Sequence, residues 1–259
     1  MISFSLISDR QIQFVLLIIT MAVAAYTIYK AQLGKLPKIR ELPAMQAIEE
    51  CIGRATEMGK PVLYVSGYGL VDITSSRGAG HLAGLGIFGY IAERAVKMGV
   101  RVIAILGWPS MIPIAEALLK NAYSKEKRDQ EFNSNDVQFG GGASFSMTMA
   151  VMGCMERDEP AAVFPIGYYS GEALIIAESG KWGGGIEVGG TDALAQMPFF
   201  AAVCDFSFIG PEIFAAEAQA TGKTELLGRL QGEDIIKVFT LAAIVVLSIL
   251  TVVFGKRLW

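Results

Sequence analysis

The chain has 259 residues, 53% of them hydrophobic and 18% charged, with a mean hydropathy of +0.45. About a quarter of a soluble domain is ordinarily charged, so this composition excludes a disordered chain and argues against a wholly water-soluble one. A net charge of −3 argues against a dedicated polyanion binder; three scattered cysteines (Cys51, Cys154, Cys204) and a single histidine argue against a disulfide framework or a zinc site and suit a reducing compartment.

The excess apolar content sits at the two ends. After a short tail (1–10), Gln11 to Tyr29 carries no charge, and neither does Val238 to Gly255, which precedes a second tail (256–259). About 17–25 apolar residues suffice to cross a bilayer as a helix, so both runs are expected to span. Ala22-Val23-Ala24 resembles a cleavage site, but the apolar run continues past it, which favours a span over a signal peptide. Lys30, Lys35, Lys38, Arg40, Arg229 and Lys237 lie on the inner side of the runs, against Arg10, Lys256 and Arg257 on the tail side. Lys and Arg near span ends favour the cytoplasm. The expectation is therefore a plasma-membrane protein with two spans, residues 30–237 in the cytoplasm and both termini outside.

Between the spans, helices and strands alternate. Pro43 opens a helix that Gly59 ends, with Ile48, Cys51, Ile52 and Ala55 on one face. Val62 to Val65 is a buried strand, Ala79 to Met98 a helix, and Val100 to Leu106 the clearest strand. A helix follows from Pro109 to Ala122, then a solvated charge run, Lys120 to Glu131. Val137 to Phe139, Ala161 to Pro165, Gly185 to Val188 and Val203 to Ile209 are further strands. Ser144 to Met155, Gly171 to Ser179, Asp192 to Ala201 and Pro211 to Ala220 are helices. Continuous apolar strands separated by helices predict an α/β fold: a doubly wound, mostly parallel Rossmann-like sheet, here flanked by N- and C-terminal transmembrane helices.

Such sheets bind ligands beyond the carboxyl ends of their strands. That rule selects Asp72, Thr74, Ser75, Ser76 and Arg77 after the first strand, and Trp108 after the second. It also selects Tyr168, Ser170 and Glu172 after the fourth, Thr191 and Asp192 after the fifth, and Glu212 after the last. Hydroxylic, acidic and small residues at these turns also serve as helix caps, the bland reading of any one of them. The 72–77 loop is longer than a cap needs. Gly80, Gly84, Gly86 and Gly89 crowd one helix, which calls for close packing or a ligand to offset their cost.

Familiar motifs are incomplete. Gly78 to Gly84 has dinucleotide-loop spacing but lies far beyond its strand and lacks the acidic ribose partner. Gly222-Lys223-Thr224 lacks the first phosphate-loop glycine. Gly167 to Gly171 puts its serine one place out of register for a nucleophile elbow, and His81 lies far upstream, where a surface or packing role suits it. Glu172 and Glu178 are badly spaced for a shared metal. No catalytic residue, metal site or cofactor is assigned, and nucleic acid is not expected as a partner.

The blocks RELPAMQAIEECIGRATEMGKPV, GEALIIAESG and GGTDALAQMPFFAAVCDFSFIGPEIFAA resemble an uncharacterised prokaryotic domain-of-unknown-function family. Its members are membrane proteins with a first span, a Rossmann-like α/β region and a final span. The resemblance implies this architecture over nearly the whole chain and transfers no activity. Three functions compete. One is a membrane-anchored, non-enzymatic component that assembles as an oligomer or with other membrane proteins, with a small ligand as an added element. The second is an enzyme acting on a small cytoplasmic or lipid-linked molecule, with Asp72, Glu172 or Asp192 as acid or base. The third is a ligand sensor signalling through its spans.

Overall fold

The computed structural model describes residues 11–34, 42–67, 74–75, 78–182 and 184–254. Two compact units emerge, Arg40–Thr221 and the paired chain ends. The ends supply α1 (Gln11–Gln32) and α9 (Thr224–Phe254). The larger unit runs α2 (Pro43–Met58), β1 (Val62–Gly67), α3 (Ala79–Lys97), β2 (Val102–Leu106), α4 (Ile112–Lys125), β3 (Val137–Phe139), α5 (Ser144–Asp158), β4 (Ala162–Tyr168), α6 (Ala173–Trp182), β5 (Ile186–Thr191), α7 (Met197–Val203), β6 (Phe206–Ile209) and α8 (Glu212–Thr221).

The six strands form one parallel sheet in the order β3-β2-β1-β4-β5-β6, the doubly wound Rossmann-like order. Strands β1 and β2 are buried along their whole length, which is why they appear as unbroken apolar runs. One helical layer, α2, α3, α4 and α8, packs Ile48, Phe88, Ile91 and Leu119 against one face. The other, α5, α6 and α7, packs Met147, Val151, Ile176 and Phe200 against the opposite face. The change of layer follows the crossover from β3 at one edge back to β4 beside β1.

Local sequence explains several boundaries. Pro43 occupies the first turn of α2, where its missing N–H costs nothing, and Gly59 ends the helix at φ +65°. The crowded glycines of α3 are packing positions: a β-carbon at Gly84 would lie 2.6 Å from the Ile166 carbonyl oxygen, and one at Gly86 would lie 2.7 Å from Glu217 on α8.

Some expectations shift. The fifth strand extends to Thr191, so Gly189 and Gly190 are strand residues, not a turn. The following helix starts at Met197 rather than Asp192, because 192–196 form turns first. Pro109 opens a 3-10 turn before α4. The charge run is partly structural: Arg128 Nη1 donates to the Val96 carbonyl at 2.7 Å, capping the C-terminal end of α3, where a cation is favoured.

Among the described residues, one helix is long and apolar enough to cross a membrane by length and composition, over Gln13–Gln32. The C-terminal apolar run lies within α9, which starts well before it, at Thr224. Within this unit α1 and α9 pack side by side. A β-carbon at Gly228 would lie 2.8–2.9 Å from Ile28, Ala31 and Thr27, and one at Gly232 would lie 2.8 Å from Thr27 Oγ1. The two glycines, four apart, let the helix backbones approach closely.

Candidate functional site

The strand order reverses between β1 and β4, so the crevice of the fold opens there. Local sequence makes the strand pairing irregular there. Pro165 sits in the middle of β4, where it removes a ladder donor, and the β1–β4 register shifts between Val65 and Gly67. The tips then cross closely. A β-carbon at Gly67 would lie 2.2 Å from the Tyr168 carbonyl oxygen, and Gly67 has φ +86°; one at Gly167 would lie 2.1 Å from the Ser66 carbonyl oxygen.

Side chains take up the carbonyls near this irregularity. Tyr169 Oη donates to the Val65 carbonyl at 2.8 Å, and Tyr64 Oη donates to the Ile166 carbonyl at 2.9 Å. The His81 ring lies with Nδ1 3.1 Å from the Ser66 carbonyl, a bond that needs the proton on Nδ1. Ser66 Oγ accepts from the Gly107 N–H at 3.0 Å, joining the tips of β1 and β2. All four side chains are fully buried. Burial pushes the Tyr64 and Tyr169 hydroxyls far above their ordinary pKa, so they stay protonated donors. His81 also meets the Tyr168 ring edge-on, at 6.0 Å between centroids. These groups lace the sheet across its switch point.

Two acceptors are left over. Glu172, 1% exposed, accepts from the Ser170 N–H at 3.3 Å through Oε1, while its Oε2 has no partner. Asp192 Oδ1 is buried and unpartnered, and a β-carbon at Gly80 would lie 2.2 Å from it, so the carboxylate rests on the first turn of α3. Desolvation raises the Asp192 carboxyl above its ordinary pKa. An anion such as a phosphate would ordinarily take that helix terminus; Asp192 already covers it. Both oxygens are buried acceptors without a protein donor at the tips of β4 and β5.

Other sequence candidates lie elsewhere. Thr191 is buried and its Oγ1 accepts from the Ala193 N–H at 3.2 Å, which makes it a turn residue. Glu212 Oε2 accepts from the Ile209 N–H at 3.0 Å and lines a cleft of about 350 Å³ beside β6 with Pro43 and Asp205, away from the switch point. Trp108 packs partly buried against the core beyond β2. Thr74 and Ser75 are exposed ahead of α3, where the Gly78 N–H donates to the Ser75 carbonyl at 3.0 Å. Asp72, Ser76 and Arg77 fall outside the described residues. The structure thus brings Tyr168, Ser170, Glu172 and Asp192 to the tips of adjacent strands and separates Glu212 from them. Among the described residues no group of three His, Cys, Asp or Glu side chains is placed to hold a metal ion.

Sequence reasoning gave His81 no place at the switch point. Its only local signal is the glycine crowding of the helix it starts. A second buried carboxyl was also missed. Glu187 on β5 is fully buried, neither of its oxygens has a hydrogen-bond partner, and a β-carbon at Gly180 would overlap it. Burial pushes its pKa up to about 8, and the nearby Asp205 carboxylate adds to the shift.

No curated protein and no solved structure matches the chain. A family model described as a domain of unknown function (DUF6754) matches residues 4–258, nearly the whole chain, and the chain belongs to that family.

Proposed function

We propose that the chain is a membrane-anchored, non-enzymatic component whose α/β unit faces the cytoplasm and assembles with further copies of itself, and through them with other membrane proteins. Its two ends cross the bilayer as a helical hairpin built on the runs 11–29 and 238–255, with 30–237 inside and the termini outside. The lysine and arginine distribution supports this orientation. One observation carries the assembly. Phe145 and Met149 on α5, Leu174 and Ile175 on α6, and Leu194 and Phe199 around α7 are 38–82% exposed. All belong to one helical layer, and all fall in or near the first turns after their strands, so they gather at one end of that layer. Large exposed apolar patches mark contact surfaces.

The test is the mass of the full chain, purified in mild detergent, by light scattering. The wild type should elute as more than one copy. The Phe145→Asp/Leu194→Asp double variant should fall to a single copy at unchanged circular dichroism. A wild-type monomer at every concentration, or a variant of unchanged mass, contradicts the proposal.

A second reading, an enzyme or sensor for a small molecule, is favoured by the unpartnered oxygens of Glu172 and Asp192. Both are acceptors, so the ligand would be an amine, amide or polyol rather than a phosphate ester. A thermal-shift panel of such compounds tests it: ligand at about 100 times its Kd adds about 2.7 kcal/mol, and that shift should vanish in Glu172→Gln.

A further inference from the structure

Strand β5 alternates its faces. Val188 joins the core under α2 and α3, so Glu187 and Gly189 point the other way, toward α6 and α7. The packing of Gly189 agrees: a β-carbon there would lie 2.5 Å from Phe200 and 2.6 Å from Cys204 Sγ. Glu187 stands beneath the C-terminal half of α6, and the Gly180 backbone closes over it; a β-carbon at Gly180 would overlap Oε1. The carboxyl is fully buried, and neither oxygen has a hydrogen-bond partner.

The groups around it offer little to a charge. Ser179 Oγ, next to Gly180, donates to the Ile176 carbonyl at 2.8 Å. Asp205, just ahead of β6, accepts from the Glu187 N–H at 2.9 Å and brings a second carboxylate. Glu178 on α6 adds to the repulsion, and the Cys204 thiol, kept protonated by its own burial, is a weak donor. Strand β4 pairs Val163 with this position. Of the groups named, Lys181 on α6 alone is a cation, and it is exposed. Burial, with Asp205 beside it, pushes the Glu187 pKa up to about 8.

An ionised Glu187 is thus a charge without a donor under a cover of backbone, and it needs water or Lys181. Raising the cover supplies either. Helix α6 has only ten residues, and open glycines flank it. A β-carbon at Gly171 or Gly184 would meet nothing within 4 Å, and Gly184 has φ +72°. Lys181 follows Gly180 directly, so the end of the helix that covers Glu187 also carries the cation that a released carboxylate can meet.

We propose that α6 is a proton-operated flap: it seats through Gly180 on the protonated Glu187, and loss of that proton lifts the Gly180–Lys181 end from β5 while the rest of the sheet stays folded. The helix that moves also carries Leu174 and Ile175 of the exposed apolar end. The flap is internal to one copy, so it holds or fails independently of self-assembly.

The test is hydrogen–deuterium exchange of the full chain in mild detergent at about pH 6.5 and about pH 9, read as protection relative to intrinsic rates. The carboxyl ionises near about 8 under the closed helix and near about 4.3 once uncovered. By linkage the α6 amides should then lose about 30-fold in protection across this interval, while those of α5, in the same layer, keep theirs. Glu187→Gln should hold α6 protection level between the two conditions. Gly180→Ala, which places a methyl where Oε1 lies, should lower α6 protection already at the lower pH, with α5 unchanged. Level protection of wild-type α6, or an α6 loss matched by α5, overturns the flap. A loss of α6 protection that persists in Glu187→Gln overturns the role of Glu187.

Discussion

The two helical layers of the sheet differ in how they finish their surfaces. The layer of α2, α3, α4 and α8 closes over its core, with Phe88 tilted on Tyr64 at 4.8 Å and Gly84 seated on the backbone of β4. Its exposed apolar side chains, such as Met58, Leu82, Met98 and Ile114, are scattered. The layer of α5, α6 and α7 buries a smaller cluster, carries the exposed apolar end, and holds Glu172 and Glu187 without full hydrogen bonding. Burying a polar group unpaired costs stability, and so does keeping an apolar surface wet. A chain that accepts both on one side uses the other side to stay folded.

That contrast can be broken at its strongest point first. Phe88→Ala empties a fully buried ring site of the closed layer and should cost about 3–5 kcal/mol in detergent-solubilised thermal or chemical melts. A loss below about 1 kcal/mol would mean the closed layer is not the stabilising one. Next come the lacing bonds at the switch point. Tyr169→Phe leaves the Val65 carbonyl without its donor, and His81→Ala removes the ring at the Ser66 carbonyl; each should cost about 1–3 kcal/mol. His81→Ala should lower melting temperature without abolishing assembly, since the histidine is fully buried and adds nothing to the exposed apolar surface.

Glu187 sharpens the comparison through pH. Its carboxyl titrates near 8 in the fold and near about 4.3 in an unfolded chain. The folded state binds the proton more tightly. This contribution to stability is therefore complete below about pH 4.3 and is lost as pH rises through 8. The melting temperature of wild type should fall across that window relative to Glu187→Gln, whose curve should lack this component. Parallel curves would show that Glu187 ionises normally. The smallest effect belongs to the apolar end itself: Leu194→Asp should change the stability of a single copy by about 0.5 kcal/mol or less, because the leucine is 82% exposed, while weakening association.

Much of the fold was legible from residues. Val62–Val65, Val102–Leu106 and the glycine or proline at several turns, such as Pro43, Gly59 and Gly99, mark strand and helix ends locally, and right-handed crossovers then limit the topology. What stayed hidden is non-local. The bonds of Tyr64 and Tyr169 join residues 102 and 104 positions apart, and no period or motif announces them. The same holds for the Gly228–Gly232 seam, whose partners are on the opposite end of the chain. The start of α9 at Thr224 was missed because its first turns are charged and its apolar run begins later. Glu172 and Asp192 were selected by the strand-tip rule, but that they keep unpartnered oxygens while Thr191 and Glu212 serve as turn acceptors depends on geometry alone.

The most direct measurement compares the two layers in the membrane. Leu194→Cys and Leu82→Cys each place one thiol on an exposed apolar position, the first on the open layer and the second on the closed one. Mild oxidation of native membranes, followed by non-reducing electrophoresis, reads which face meets another copy. Self-assembly through the open layer predicts a cross-linked dimer for Leu194→Cys and none for Leu82→Cys. Equal cross-linking at both positions, or a dimer formed only through Leu82→Cys, would contradict it.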